Sequence, residues 1–381
     1  MTDLLRTRPG TTPEIAGIFS DTATIGHALA FEAALARAQA DEGLVVRSTA
    51  NAIAEAAAAL HIDPAELADE AAHAGTLAIP LVRRLRAALP EAVAAKAHMG
   101  ATSQDVADTV LMLQAKAAAA IVDRNAARIG SALCQLAERH AGTPAIGRTL
   151  LQDACPIGFG LRFAQAAAGI DDARRRLAVD VDAAAVLQFG GGAGTRAGLG
   201  GKGAAIAARM ASALGLGYSE PWHARRAGVA AVASALAVLV GAVGKFARDV
   251  ALLSQDRIGE AHEPLVEGRG GSSAMPHKRN PTGCQVALSA AVRAPGLAAS
   301  VLAGLPQEAE RGLGGWQAEG PVLAELFGLA AASLAAMAFV AEGLEVDEDA
   351  IARNLAYAGQ GRDIGESEAI VATLVAHIRR S

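Results

Sequence analysis

Aromatic side chains are nearly missing from this chain of 381 residues: 3% of the total, with eight phenylalanines, two tyrosines and two tryptophans. Platforms for stacking nucleic-acid bases are therefore scarce. A net charge of -5 supplies no basic stripe for phosphates either, so general nucleic-acid binding is excluded. Cysteine is rarer still. Cys134, Cys155 and Cys284 are odd in number and widely spaced, without a C-x-x-C pair, which argues against a disulfide framework and for a reducing compartment. No metal site is expected: His262-Glu263 does not extend into H-E-x-x-H, and His277 has no second ligand at helical or hairpin spacing. The opening stretch MTDLLRTRPGTTPEIAGIFSD mixes charge with proline where a signal peptide needs an apolar run, so a cytoplasmic location is expected.

Alternating β-branched stretches are also lacking, which excludes a substantial sheet. In their place stand long helical periodicities in a chain that is 52% hydrophobic and 19% charged. From Asp105 to His140, apolar residues recur at Val106, Val110, Leu113, Ala117, Ile121, Ile129, Leu133 and Leu136, which marks one helical face. Comparable runs cover 158–188, 224–257, 282–304 and 316–343, the last two containing Pro295 and Pro321, where kinks or breaks are expected. The chain thus reads as all-α, with an N-terminal helical domain over 1–104, a central long-helix bundle over 105–345 and a short C-terminal helical segment over 346–381. Residues 227–244 are uncharged for long enough to cross a membrane. Their small side chains, and their continuation into KFARDVALLSQDRIGE, favour a helix buried in the bundle, with no membrane partner.

Two glycine-rich stretches carry chemistry or imitate it. Residues 192–197 match G-x-G-x-x-A, but a helix rather than a strand precedes them, so the dinucleotide fingerprint lacks its context and a helix-to-helix connection is expected. No cofactor is implied. The second stretch, GGSSAMPHKRNP at 270–281, contributes nothing to a core. Asn280-Pro281-Thr282 offers an N-cap residue and an N1 proline at the head of a helix, whose free N–H groups would take an anion beside Lys278 and Arg279. No G-x-S-x-G or Ser-His-Asp pattern surrounds its serines, so any alkoxide there needs stabilisation by dipoles and cations.

The loop GSSAMPHKRNP, with HMGATSQDVADT at 98–109 and GRTLLQDACPIGFG at 147–160, resembles the three signature blocks of the fumarase/aspartase superfamily. The resemblance covers about residues 15–345, and among the branches it is greatest to the 3-carboxy-cis,cis-muconate cycloisomerases, through FSDTATIGHALAFEAALARAQADEGLV, GATSQD and QEAERGLGGWQAE. It implies a homotetramer whose core is built from the central helices, with active sites shared between subunits. The implied reaction is reversible lactonisation of a small polycarboxylate through an aci-carboxylate, in aromatic-acid catabolism, with no metal or cofactor. It also implies roles for particular residues. Ser272, with Ser273 next to it, and His98 are the candidate catalytic groups, while Thr102, Ser103, Thr149, Gln152, Lys278 and Asn280 would contact substrate. Arg311 would anchor an additional carboxylate, since guanidinium binds that group bidentately.

Two departures bear on substrate. Leu150 stands where many lyases of the superfamily carry an acid histidine, which argues against the alternative of an adenylosuccinate- or argininosuccinate-type lyase. Ala309 replaces a histidine frequent in Q-E-H-E-R. A catalytically silent member of the superfamily is the remaining alternative, and the retained Ser272, Lys278 and Asn280 argue against it, as the intact polar loop argues against a purely structural bundle.

Overall fold

The computed structural model describes residues 4–271, 275 and 278–380. Short helices come first: α1 (Leu4–Thr7), α2 (Pro13–Ile18), α3 (Asp21–Asp41), α4 (Arg47–Ala59), α5 (Pro64–Ala74), α6 (Ala78–Ala87) and α7 (Glu91–Ala94). Their limits follow from capping chemistry. The Ser20 hydroxyl accepts from the Ala23 N–H at 3.2 Å to start α3, and Asp63 accepts from Ala65 to start α5, which Gly75 ends in a left-handed conformation.

Five long helices follow, interrupted by one shorter: α8 (Ser103–Arg139), α9 (Gly160–Ala184), α10 (Gly203–Leu214), α11 (Ala227–Leu253), α12 (Thr282–Ala303) and α13 (Gly315–Glu342). Helices α14 (Glu348–Ala358) and α15 (Ser367–Ile378) close the chain. At 1.5 Å per residue α8 is about 55 Å long. It runs parallel to α13: Asp108 and Glu319, each near the start of its helix, hold the same arginine, while Arg128 and Glu342 pair toward the far end. Helices α9 and α12 return in the opposite direction. Alanine and glycine let these helices approach closely; a Cβ on Gly244 of α11 would lie 2.8 Å from the Ala291 methyl of α12, so Gly244→Ala would force the pair apart.

The five periodic runs are therefore the five long helices, and the all-α class holds. Neither Pro295 nor Pro321 breaks its helix. An interior proline costs about 3 kcal/mol, and here helix packed on both sides of it outweighs that loss. On α8, Val106, Val110, Ile129, Leu133 and Leu136 are buried as expected, but Leu113 and Ile121 are half-buried and Ala117 is exposed. Repeated steps of four overshoot the turn of 3.6 residues, so mid-helix the buried stripe passes through Ala115, Ala118 and Val122. Leu113 and Ile121 pack against the edge of the same core.

Among the described residues, strands form the hairpin β1 (Pro144–Thr149) and β2 (Gln152–Gly158) and the two-residue pair β3 (Ala261–His262) and β4 (Glu345–Val346). The hairpin was not evident from periodicity. Two cores result. The larger lies among α8, α9, α11, α12 and α13, and the smaller joins α3 to α6 with Val106, Leu187, Phe189, Leu199, Ile206 and Met210. Helices α11, α12 and α13 are long and apolar enough to cross a membrane by length and composition alone, and all three belong to this bundle.

Candidate active site

The start of α8 is built around Asp105. Thr102 takes the extended N-cap conformation, and its N–H donates to Asp105 Oδ2 at 3.0 Å. The same carboxylate, fully buried, accepts from the N–H groups of Gly190 and Gly191 at 2.9 Å and binds His223 Nε2 at 2.8 Å. One side chain thereby ties the glycine-rich connection to the mouth of the long helix. That connection joins α9 to α10, as its sequence context indicates, and holds no dinucleotide turn.

Beneath Asp105 lies a buried ionic network. Arg226 donates to both oxygens of Asp108, at 2.7 and 2.8 Å, and to both oxygens of Glu319, and its guanidinium stacks 4.7 Å from the Trp222 ring centroid. Burial works against the charge on Arg226, but Asp108 and Glu319 outweigh it and hold the guanidinium above the ordinary arginine range. Burial pushes the Glu319 carboxyl above its usual range, and Arg226 offsets this only in part. Gln104 and Gln188 complete the network by donating to Asp108 Oδ2 at 3.2 and 3.0 Å. Periodicity concealed this group, since polar residues near a helix start read as a solvated first turn.

Above the network, the Thr102 hydroxyl accepts from Arg311 Nη1 at 2.6 Å, and the same nitrogen reaches Gly192 O at 3.4 Å. Ser103 lines a cavity of about 320 Å³ with Asp108, Trp316 and Gln317. His98 sits four residues before Thr102 in a left-handed conformation (φ 64°), its Nδ1 2.6 Å from Glu32 Oε1. His98, Thr102, Ser103 and Arg311 thus lie at one end of the bundle.

Thr149 and Gln152 lie at the other end. They pair across the tip of the hairpin, both exposed, on either side of Leu150 (φ 51°) and Leu151 (φ 64°). Two successive left-handed residues form a type I′ turn, which normally calls for Asn-Gly, so two leucines carry strain there. They are also 93% and 80% exposed, an apolar tip that nothing in this chain covers among the described residues. Arg148 fixes the hairpin by a bidentate pair with buried Glu260, at 2.9 and 2.6 Å. A cavity of about 710 Å³ beside it is lined by Thr149, Leu151, Arg162, Lys245 and Asp249 among others.

Of the signature loop, Gly270, Gly271 and Lys278 to Pro281 lie at this second end. Ser272, Ser273 and His277 lie outside the described residues. Lys278 is exposed; the Asn280 N–H donates to Gly270 O at 2.8 Å, and its Nδ2 donates to Gly271 O at 3.4 Å. The head of α12 differs from expectation. Its cap position is Pro281, and the free N–H groups of Gly283 and Cys284 donate to the Glu263 carboxylate at 3.0 and 2.8 Å. The anion that this helix end takes is the protein's own Glu263, because a nearby side chain outcompetes a diffusible ligand for the same donors. Arg279 is likewise engaged, with Glu345 Oε2 at 2.9 Å. Burial, reinforced by Glu263, pushes the Cys284 thiol far up.

Within one chain the described candidate residues therefore form two groups, separated by roughly the length of α8, about 55 Å. Known proteins similar to this chain supply its family. The chain is 46% identical to a 3-carboxy-cis,cis-muconate cycloisomerase of Bradyrhizobium diazoefficiens over 339 residues, 88% of this chain and 75% of that one. It is 42% identical to the enzyme of that name from Pseudomonas putida over 366 residues, covering 95% and 86% of the two. The crystal structure of 3-carboxy-cis,cis-muconate lactonizing enzyme from Pseudomonas putida superposes with a TM-score of 0.93 over 99% of both chains at 35% identity. The lyase family profile matches residues 7–296, and with these relatives it establishes that the chain belongs to the lyase family.

Proposed function

We propose that this chain is a 3-carboxy-cis,cis-muconate cycloisomerase, acting in the cytoplasm as a homotetramer with shared active sites. The observation that carries the reading is the overlap with the lactonizing enzyme over 99% of both chains. In the forward reaction a carboxylate oxygen of the substrate adds to the conjugated double bond. The displaced electron pair moves onto the neighbouring carboxylate as an aci-carboxylate, and a proton is then delivered to carbon. Lys278 and Asn280 would bear the developing negative charge, and Ser272 would handle the carbon-bound proton. Thr102, Ser103 and Arg311 of a second chain and Thr149 and Gln152 of a third would complete the site.

Uncovered apolar surface supports the assembly. Only 28% of the apolar window of α12 is buried within one chain, with Val292 79% exposed, and Val238 of α11 is 61% exposed. Packing these faces on symmetry mates removes them from water, most simply in a D2 tetramer.

The test is to follow ultraviolet loss of the conjugated diene of 3-carboxymuconate beside cleavage of adenylosuccinate and argininosuccinate. Turnover of the diene alone is expected; cleavage of either succinate adduct without diene loss overturns the reading. Arg311 supplies a finer prediction. Arg311→Ala should lower kcat/KM on 3-carboxymuconate by about thirtyfold, the value of a charged hydrogen bond worth roughly 2 kcal/mol. On cis,cis-muconate, which lacks the extra carboxylate, the rate should barely change. An equal loss on both substrates would remove Arg311 from its anchoring role.

A further inference from the structure

Buried Glu32 of α3 has one hydrogen-bond partner among the described residues, the His98 ring, while its Oε2 is buried without a partner. A carboxylate with so little compensation is costly, which points away from a purely structural role. Its surroundings are built to present His98. Gln39, one face of α3 further on and equally buried, donates to Met99 O at 2.6 Å, and Arg86 donates to Ala97 O at 2.8 Å. Three side chains thus grip three consecutive residues, and hold His98 in a backbone conformation (φ 64°) that side-chain-bearing residues rarely adopt. Gly100 (φ 79°) lets the chain turn immediately into the start of α8.

We propose that Glu32 is the positioning residue for His98: it accepts the Nδ1–H, fixes that tautomer, and leaves Nε2 free to face substrate. An ionised carboxylate is acceptor-only, so the 2.6 Å contact places the imidazole proton on Nδ1. Nε2 is then the nitrogen that exchanges a proton or hydrogen-bonds a substrate carboxylate. When it takes a proton, the buried charge of Glu32 balances the imidazolium, the division of labour between an orienting carboxylate and a working histidine. The inference rests on the reading of His98 as a substrate-facing group.

The test uses Glu32→Leu and Glu32→Gln, near-isosteric and freed of a buried charge, each made in wild-type and His98→Gln backgrounds. In the wild-type background Glu32→Leu should lower kcat about a hundredfold, with KM changed by less than about threefold, and Glu32→Gln, which keeps an acceptor, should lose less. In the His98→Gln background neither change should lower kcat further, because residues acting as one unit are non-additive. Nitrogen-15 histidine spectra of the substrate-free protein should show His98 as the Nδ1–H form, lost in Glu32→Leu. The same loss of kcat in both backgrounds, or an Nδ1–H form that persists in Glu32→Leu, overturns the proposal. Full activity of His98→Gln would instead defeat the catalytic reading of His98, and the spectra would still decide whether Glu32 sets its tautomer.

Discussion

Ser272→Ala is expected to lower kcat on 3-carboxymuconate by about a thousandfold, within the range that a positioned proton-transfer group contributes. The expectation comes from the placement of Ser272 directly after Gly271, in the loop that also carries Lys278 and Asn280, both removed from the hydrophobic cores. Thermal stability should be unchanged, since the described residues that flank it, Gly271 and Lys278, belong to neither core. The assay is single-turnover diene loss beside a melting curve. More than about a tenth of wild-type kcat, a barrier change below roughly 1.4 kcal/mol, would dismiss Ser272 as the proton-transfer group and pass the role to Ser273.

The largest structural effect should come from Arg226. Arg226→Met leaves Asp108 and Glu319 buried, close together and without their cation. Such a break costs about 3–5 kcal/mol, a large share of the stability of any domain. Denaturant unfolding should show this loss, and Thr102, held through the same first turn of α8, should lose its proposed substrate contact with it. Replacing all three residues together, Arg226→Met with Asp108→Leu and Glu319→Leu, should recover most of the stability, because well-packed apolar groups remove the charges along with their desolvation. A single variant that unfolds within about 0.5 kcal/mol of wild type, as surface changes do, would show that the network carries no such load.

The sequence reveals the bundle because each long helix must keep an apolar face over many turns, and that requirement writes itself as period 3.6. It reveals the three candidate blocks because each carries polar residues, such as Thr102, Gln152 and Lys278, that a core does not call for. The pairings in space are hidden. Asp105, Asp108 and Gln104 look like a polar first turn, and only the fold brings His223, Arg226 and Glu319 to them across more than ninety residues of sequence. Glu32 reads as one more helix former, and Glu263 as half of a failed zinc motif, until the structure sets them against His98 and the head of α12. The hairpin escapes because its tip uses Leu150-Leu151, with none of the residues that normally announce a tight turn.

In the proposed assembly no single chain contains a complete site, since Arg311 lies at one end of α8 and Gln152 beyond the other. The direct measurement mixes the impaired Arg311→Ala and Gln152→Ala proteins under conditions that exchange subunits, then follows 3-carboxymuconate turnover at low substrate concentration. A site drawing these residues from two different chains regains both in about a quarter of cases after random exchange, so activity should rise toward that fraction of wild type. Hybrid tetramers that form and stay inactive, or a protein that sediments as an active monomer, would contradict the shared site.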